Sequence, residues 1–401
     1  MISSNSYGVN RARAALLALE KKWPELETTP REQRYQLQEV LNVATMDNGN
    51  VIVAEAFAGK DHFTAVLLHN VISAIRREPG VAMQFLHQKF DGSEATTSEK
   101  IPLEIKTPAV QRARLEAIQA TARSGRSIYI GGPQIGILRL DADKPEFERL
   151  AVSDRLPAHL QSLVCMGDTL YAGLERGTLV RISADGASFE TVFSSEREDE
   201  DTELDNRSPF SLPGMVHDKL RKLLLLVVLE RARRKAELWS WSPATMKCTL
   251  ISLRLPPIVP RQMLMAGPRL LVASTGHAVF LQPGTRAENG RLQPGETRTQ
   301  ILGRAYRPRA GRVVIQGETM RWTAEDRIIG EAQLPPALKP GPRRGPLVGL
   351  GETRLDRIDG PEGNNYGGSW LAPIDERRFF YSRGQRLWVA TPLSSAVQSN
   401  E

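Results

Sequence analysis

Two stretches of this chain are near copies of one another, and that duplication limits what it can fold into more than any other feature. Ser127 to Leu150 reads SIYIGGPQIGILRLDADKPEFERL, and Asp168 to Phe193 reads DTLYAGLERGTLVRISADGASFETVF. Aligned, each gives an apolar strand, a glycine turn and a second apolar strand that ends in arginine plus an apolar residue. An Asp-bearing turn and a third strand follow. Tyr129 matches Tyr171, Arg139 matches Arg181 and Phe147 matches Phe189. A match that spans several strands and turns at once marks a repeated structural unit.

Weaker echoes run along the rest of the chain, in residues 50–71, 219–251, 269–284, 312–334 and 377–391. Analogous strands begin near Val51, Ile128, Leu170, Leu223, Leu270, Val313 and Phe379, which are seven starts. Units of about fifty residues suit four-stranded blades with variable insertions. One such meander cannot bury both of its faces, so each must pack on its neighbours around a central channel. The reading is all-β: a β-propeller of seven blades over residues 35–393, with a short helical extension at 1–34 and a polar tail at 394–401. In that extension Asn10 caps a helix with Ala12, Ala15, Leu16 and Leu19 on one face, and Pro24 ends it. Little but polar chain follows Val389, so the last blade is expected to borrow a strand from residues 31–45 and close the ring. Deleting residues 1–45 should then sharply lower the melting temperature. Gly131, Gly132, Gly136, Gly173 and Gly177 are read as turn glycines that supply positive φ. The competing architecture is two separate domains, helical then β-rich.

The repeats IYIGGPQIGILRLD (128–141) and LYAGLERGTLVRIS (170–183) resemble the blades of bacterial propellers of the two-component-sensor and quinoprotein-like type, whose pattern is LYxGTxxGLxRLD. The resemblance implies the fold, because propellers host sensors, enzymes and scaffolds alike. The tryptophan-docking motifs of true quinoproteins are absent, so no quinone cofactor is expected, nor any other.

Charge narrows the partners. The chain carries a net charge of +7, yet residues 196–205 (EREDEDTELD) hold seven acids against one arginine. The remainder is therefore near +13, an excess that favours anionic partners. Two cysteines, Cys165 and Cys248, are too few for a disulfide framework or a four-cysteine zinc site. The longest apolar run, Leu223 to Leu229, is too short to cross a bilayer. The N-terminal segment lacks the apolar block of a secretory signal. Together these point to the cytoplasm and exclude membrane insertion.

No P-loop, HExxH, GxSxG or EF-hand pattern is present. The histidines are scattered. His62 and His69, seven apart on one strand, would face opposite sides and cannot share a metal. Cys165 and Cys248 sit in apolar surroundings, as small hydrophobes do. The acidic run lacks the spacing and turn glycine of a calcium loop and reads as an inter-blade insertion. Neither catalytic nor metal-ligating residues are assigned.

Candidate partner-binding positions fall in loops. Arg231, Arg233 and Arg234 lie between two strands, at a hairpin tip. Arg307 and Arg309 belong to RAYRPRAGR (304–312), and Arg343 and Arg344 to KPGPRR (339–344). If these tips share one face, phosphate contact follows. Only Tyr306 offers a ring for base stacking, which weighs against reading single-stranded nucleic acid. In GPEGNNYGGSW (360–370), Asn364, Asn365, Tyr366 and Trp370 offer amide and aromatic contacts over the channel. The leading expectation is a non-catalytic scaffold or sensor that presents a face to a protein partner. Two alternatives stand beside it: a propeller-type enzyme (lactonase, glycosidase or lyase) with a channel site, and an anion- or nucleic-acid-binding module built on the arginine tips. The enzyme would need acids or histidines that converge on the channel, and Asp47, Asp168 and Asp375 are the acids nearest that role.

Overall fold

Short apolar strands joined by tight turns build antiparallel meanders, and each meander has two apolar faces to cover. The chain covers them by packing meander on meander. In a computed structural model the described residues are 34–71, 81–104, 117–195, 210–230, 235–255, 260–274, 277–281, 297–301, 312–325, 328–336, 348–349, 353–357 and 369–393. They form seven sheets, the blades of a β-propeller.

From the channel outward, blade 1 is Val51–Ala58, His62–His69 and Val81–Lys89, edged by Thr96–Thr97 and Ile101–Leu103. Blade 2 is Ala120–Ser124, Ser127–Gly132, Gly136–Asp141 and Phe147–Arg149, and blade 3 is Leu160–Met166, Thr169–Leu174, Thr178–Ile182 and Phe189–Ser194. Blade 4 is Phe210–Asp218, Leu223–Glu230, Lys235–Ser242 and Lys247–Leu255. Blade 5 is Gln262–Ala266, Arg269–Ala273, His277–Leu281 and Thr297–Ile301, with Val348–Gly349 added in parallel at its edge. Blade 6 is Val313–Gln316, Thr319–Glu325, Ile328–Gln333 and Thr353–Arg357. Blade 7 takes Ser369–Pro373, Phe379–Arg383 and Arg386–Pro392 from the C-terminal end of the chain, and its outermost strand, Tyr35–Asn42, from the N-terminal side.

That last strand closes the ring as the sequence suggests. It pairs antiparallel with Arg386–Pro392 from Tyr35↔Pro392 to Asn42↔Arg386. The Arg386 guanidinium lies 3.2 Å from the Glu39 carboxylate. Tyr35 also reaches blade 6, where its hydroxyl donates to Glu331 at 3.1 Å. Apolar clusters fill the gaps between blades. One joins Tyr171 and Leu179 of blade 3 to Leu224, Leu226 and Trp241 of blade 4, and another joins Val53 and Phe63 of blade 1 to Trp370 and Phe380 of blade 7. Side chains stitch the innermost strands to one another. Ser162 donates to the Leu212 carbonyl at 2.7 Å, and Gln262 both donates to the Val313 carbonyl (3.0 Å) and accepts from its amide (2.9 Å).

The duplication appears as a matched ladder. Arg139 pairs across strands with Tyr129 on one side and Glu148 on the other, and it bonds the Glu148 carboxylate. Arg181 stands between Tyr171 and Glu190 in the same way.

Two details differ from the sequence reading. Of the seven strand starts, Val51 and Val313 begin innermost strands, whereas Ile128, Leu170, Leu223, Leu270 and Phe379 belong to second strands. The two classes have the same apolar character because both are buried, so composition cannot phase them. Gly136 (φ +63°) and Gly177 (φ +66°) do supply left-handed turns, but Gly131, Gly132 and Gly173 do not. Those three are glycine because neighbouring segments press on them: a Cβ at Gly173 would sit 2.4 Å from Oγ of its cross-strand partner Ser162. The helix expected in residues 10–24 lies outside the described residues, whose elements are strands and two short 3-10 turns.

Candidate functional site

Strand direction sorts the connections between the two faces of the ring. Each innermost strand runs from what we term the upper face to the lower face, and successive strands alternate. Connections from one blade to the next, and those between second and third strands, therefore leave from the upper face. The remaining hairpins leave from the lower face.

This bears on every candidate position. The strands that flank residues 231–234, 302–312 and 358–368 meet the upper face, as do those flanking 195–209. The strands flanking residues 334–352 meet the lower face. The segments that hold Arg231, Arg233, Arg234, Arg307 and Arg309 thus leave from one side of the ring, and the segment with Arg343 and Arg344 from the other. These arginines, Asn364, Asn365, Tyr366 and the acidic run all lie outside the described residues. Trp370 is described, and its position differs from the expectation. It is 1% exposed, packed between blades 7 and 1, and its indole N–H donates to the Val53 carbonyl at 3.1 Å. Its ring is core and is not presented to the channel.

Two polar clusters lie toward the upper face of blade 1. The first is Glu55, the lone charge in the apolar strand VIVAEAFA, displaced by a bulge between Val53 and Glu55. Its carboxylate is 1% exposed and lies 2.6 Å from Arg312, which immediately precedes the innermost strand of blade 6. The pair spans from blade 1 to blade 6 past blade 7. The second cluster is Asp47, His69 and Lys100. Asp47 sits in the 3-10 turn Met46–Gly49 that leads into blade 1, with φ at +44°. Its carboxylate accepts from His69 Nδ1 and, at 3.0 Å, from Lys100 Nζ. The bonds from Lys100 and then His69 hold the Asp47 carboxyl below the usual carboxylate range. The His69 ring is buried, and its Nε2 has no hydrogen-bond partner among the described residues.

Chemically, the second cluster fixes one imidazole nitrogen on a carboxylate, as orienting pairs do, while the first neutralises a buried charge. Among the described residues no three acidic, histidine or cysteine side chains gather as a metal site. Asp47, Asp168 and Asp375 are not a set. Asp47 is at the upper face, whereas Asp168 accepts from Ser124 at the lower face and Asp375 binds Arg378 there, at 2.7 Å. His62 and His69 stand at opposite ends of one strand. His62 instead stacks on His87 of the next strand, with ring centroids 4.8 Å apart. Burial pushes the Cys165 and Cys248 thiols up to about 12, so both stay protonated at neutral pH.

Glu55 was visible in sequence as a charge inside an apolar run, the usual sign of a buried, partnered group. The partnership of Asp47 with His69 and Lys100 was not, because three separate elements deliver those side chains.

No family model matches the chain, and no curated protein matches it. Among solved structures, YCF48 from Cyanidioschyzon merolae is similar with a TM-score of 0.53 at 12% identity, over 90% of this chain and 99% of that one. YCF48 bound to D1 peptide gives 0.50 at 9% identity, over 91% and 99%. At such identities the likeness shows the fold alone, a β-propeller, as the repeats imply.

Proposed function

We propose that this propeller is a non-catalytic scaffold that works in the cytoplasm and grips a protein partner on its upper face. The observation that supports this most is the group of long connections at the upper face. The strands flanking residues 104–119, 195–209, 302–312 and 358–368 all meet the upper face, which also carries the Arg312–Glu55 and His69–Asp47 pairs. Two other long connections, at residues 282–296 and 334–352, meet the lower face, so the upper face holds the larger number. Binding residues concentrate on loops held by a fixed scaffold. A fold-level neighbour carries a peptide, YCF48 bound to D1 peptide, which adds support by analogy. No helix among the described residues is long and apolar enough to cross a membrane.

The test is affinity capture of partners with the full chain and with charge reversals on each face. Arg176 is exposed at an upper hairpin tip, and Arg126 is exposed at a lower one. The partner should be retained by wild type and Arg126→Glu, and lost by Arg176→Glu combined with Lys100→Glu. Retention by every variant, or turnover of a small molecule without a partner, would overturn the proposal.

A further inference from the structure

Blade 4 reaches beyond its neighbours at the lower face. Its four strands are nine, eight, eight and nine residues long, whereas those of blade 5 are all five and those of blade 3 run from five to seven. The Ser162–Leu212 bond sets the third residues of the innermost strands of blades 3 and 4 level. The bulge between Ser211 and Gly214 takes up one of the two further residues of blade 4, and the other carries the strand about 3 Å lower, at about 3.3 Å per residue.

The first hairpin of each blade adds to this. Blades 2, 3, 5 and 6 turn with two residues there: Gly125–Arg126, Gly167–Asp168, Gly267–Pro268 and Gly317–Glu318. Blade 4 turns with four, Lys219-Leu220-Arg221-Lys222, between the pair Asp218↔Leu223. Its second lower hairpin, Pro243-Ala244-Thr245-Met246, lies between Ser242 and Lys247. Both tips end on a left-handed residue, Lys222 (φ +54°) and Met246 (φ +52°). The buried Asp218 carboxylate stiffens the first tip by accepting from the Arg221 amide at 3.1 Å and from its guanidinium at 2.5 Å.

The side chains on these tips are of two kinds. Leu220 is 69% exposed and Met246 48%. Lys219, Lys222 and Lys247 are exposed and make no ion pair among the described residues. Some basic groups on this face are met by acids, Arg126 by Asp143, Lys89 by Glu94 and Arg378 by Asp375. Lys60, Lys144 and Arg377 are exposed like the lysines of blade 4 but stand on separate hairpins. Among the described residues one other large apolar side chain is exposed, Leu393, which follows the lower end of Arg386–Pro392 in blade 7.

We propose that the lower tip of blade 4 docks this protein on an anionic lipid surface. Leu220 and Met246 enter the interfacial layer while Lys219, Lys222 and Lys247 lie against the headgroups. The shape favours a bilayer over an acidic protein. An acidic segment needs a groove to bury it, whereas a protruding tip with one apolar side chain beside lysines fits a soft planar surface. Each lysine near such a surface strengthens binding about fivefold.

Vesicle co-sedimentation of the full chain decides it, comparing phosphatidylcholine alone with mixed phosphatidylcholine and phosphatidylserine. Wild type should sediment with the mixed vesicles only and be released by salt. Lys219→Glu/Lys222→Glu/Lys247→Glu should weaken binding by about a hundredfold, and Leu220→Ser/Met246→Ser should weaken it while the salt dependence remains. All five positions are at the surface, so unchanged melting curves will show that the variants fold. Sedimentation with neither vesicle, equal sedimentation with both, or full binding by either variant would overturn the proposal. So would capture by polyglutamate beads without vesicle binding, which would make the patch an acidic-protein site. Partner capture at the upper face is read out separately.

Discussion

Gly132 ends the second strand of blade 2, where a Cβ would sit 2.1 Å from the Ala117 carbonyl oxygen. That atom is backbone and cannot turn aside. Gly125, at a lower hairpin tip, has open space around it but a φ of +55°. The two glycines are required for different reasons, and asparagine separates them because it tolerates left-handed backbone. Gly125→Asn should be nearly neutral. Gly132→Asn and Gly132→Ala should each cost about 1–3 kcal/mol or more through forced backbone movement. Chemical denaturation reads both, and equal costs at the two sites would refute the distinction. In sequence both are simply glycines beside a turn. Only the approach of Ala117, fifteen residues away in the chain, tells them apart.

At the scale of elements, adjacent strands bring together groups that sequence spacing keeps apart. His62 and His87 stack between the second and third strands of blade 1, and Thr64 lies 3.3 Å from His87 Nδ1. Burial, and next the neighbouring His62, push the His87 imidazole below its ordinary range. The unfolded chain therefore binds the extra proton at higher pH than the folded one. Stability from this site is complete above the unfolded value of about 6.5 and is lost as pH falls from there towards the folded value. Burial and then Lys219 act on His217 in the same direction. The urea midpoint should drop as the pH falls through and below about 6.5, and His87→Gln should flatten part of that drop. An unaltered slope in the variant would remove His87 from the account. The Tyr–Arg–Glu ladders of blades 2 and 3 show the reverse case, in which the element was legible. Tyr129 with Tyr171 and Arg139 with Arg181 stand out in the aligned repeats, and their cross-strand partners Glu148 and Glu190 occupy the matching place.

For the whole molecule, the ring depends on one strand that arrives from the far end of the chain. Val40 and Leu41 of Tyr35–Asn42 are buried, and Val40 packs with blade 1 and blade 7 residues, whereas Gln36 is exposed. Val40→Asp places an unpaired carboxylate in that seam and should cost more than about 3 kcal/mol. Gln36→Asp should stay within about 0.5 kcal/mol. Thermal melts of both variants, beside the deletion of residues 1–45, check the closure. Equal melting of Val40→Asp and Gln36→Asp would mean that this strand does not hold the ring.

The sequence by itself determined the class of fold, the number of units and the source of the closing strand. All three follow from local periodicity and turn chemistry, which are written in consecutive residues. It could not phase the strands within blades, place Trp370 in the core, or join Asp47 to His69 and Lys100, Glu55 to Arg312 and His62 to His87. Nor could it show that the KLRK turn of blade 4 stands below its neighbours, which depends on the level at which adjacent blades are fixed. Those facts are decided by inter-strand register and blade-on-blade packing. Both are set by the summed burial of many side chains, distant in the chain, which no short run of sequence records.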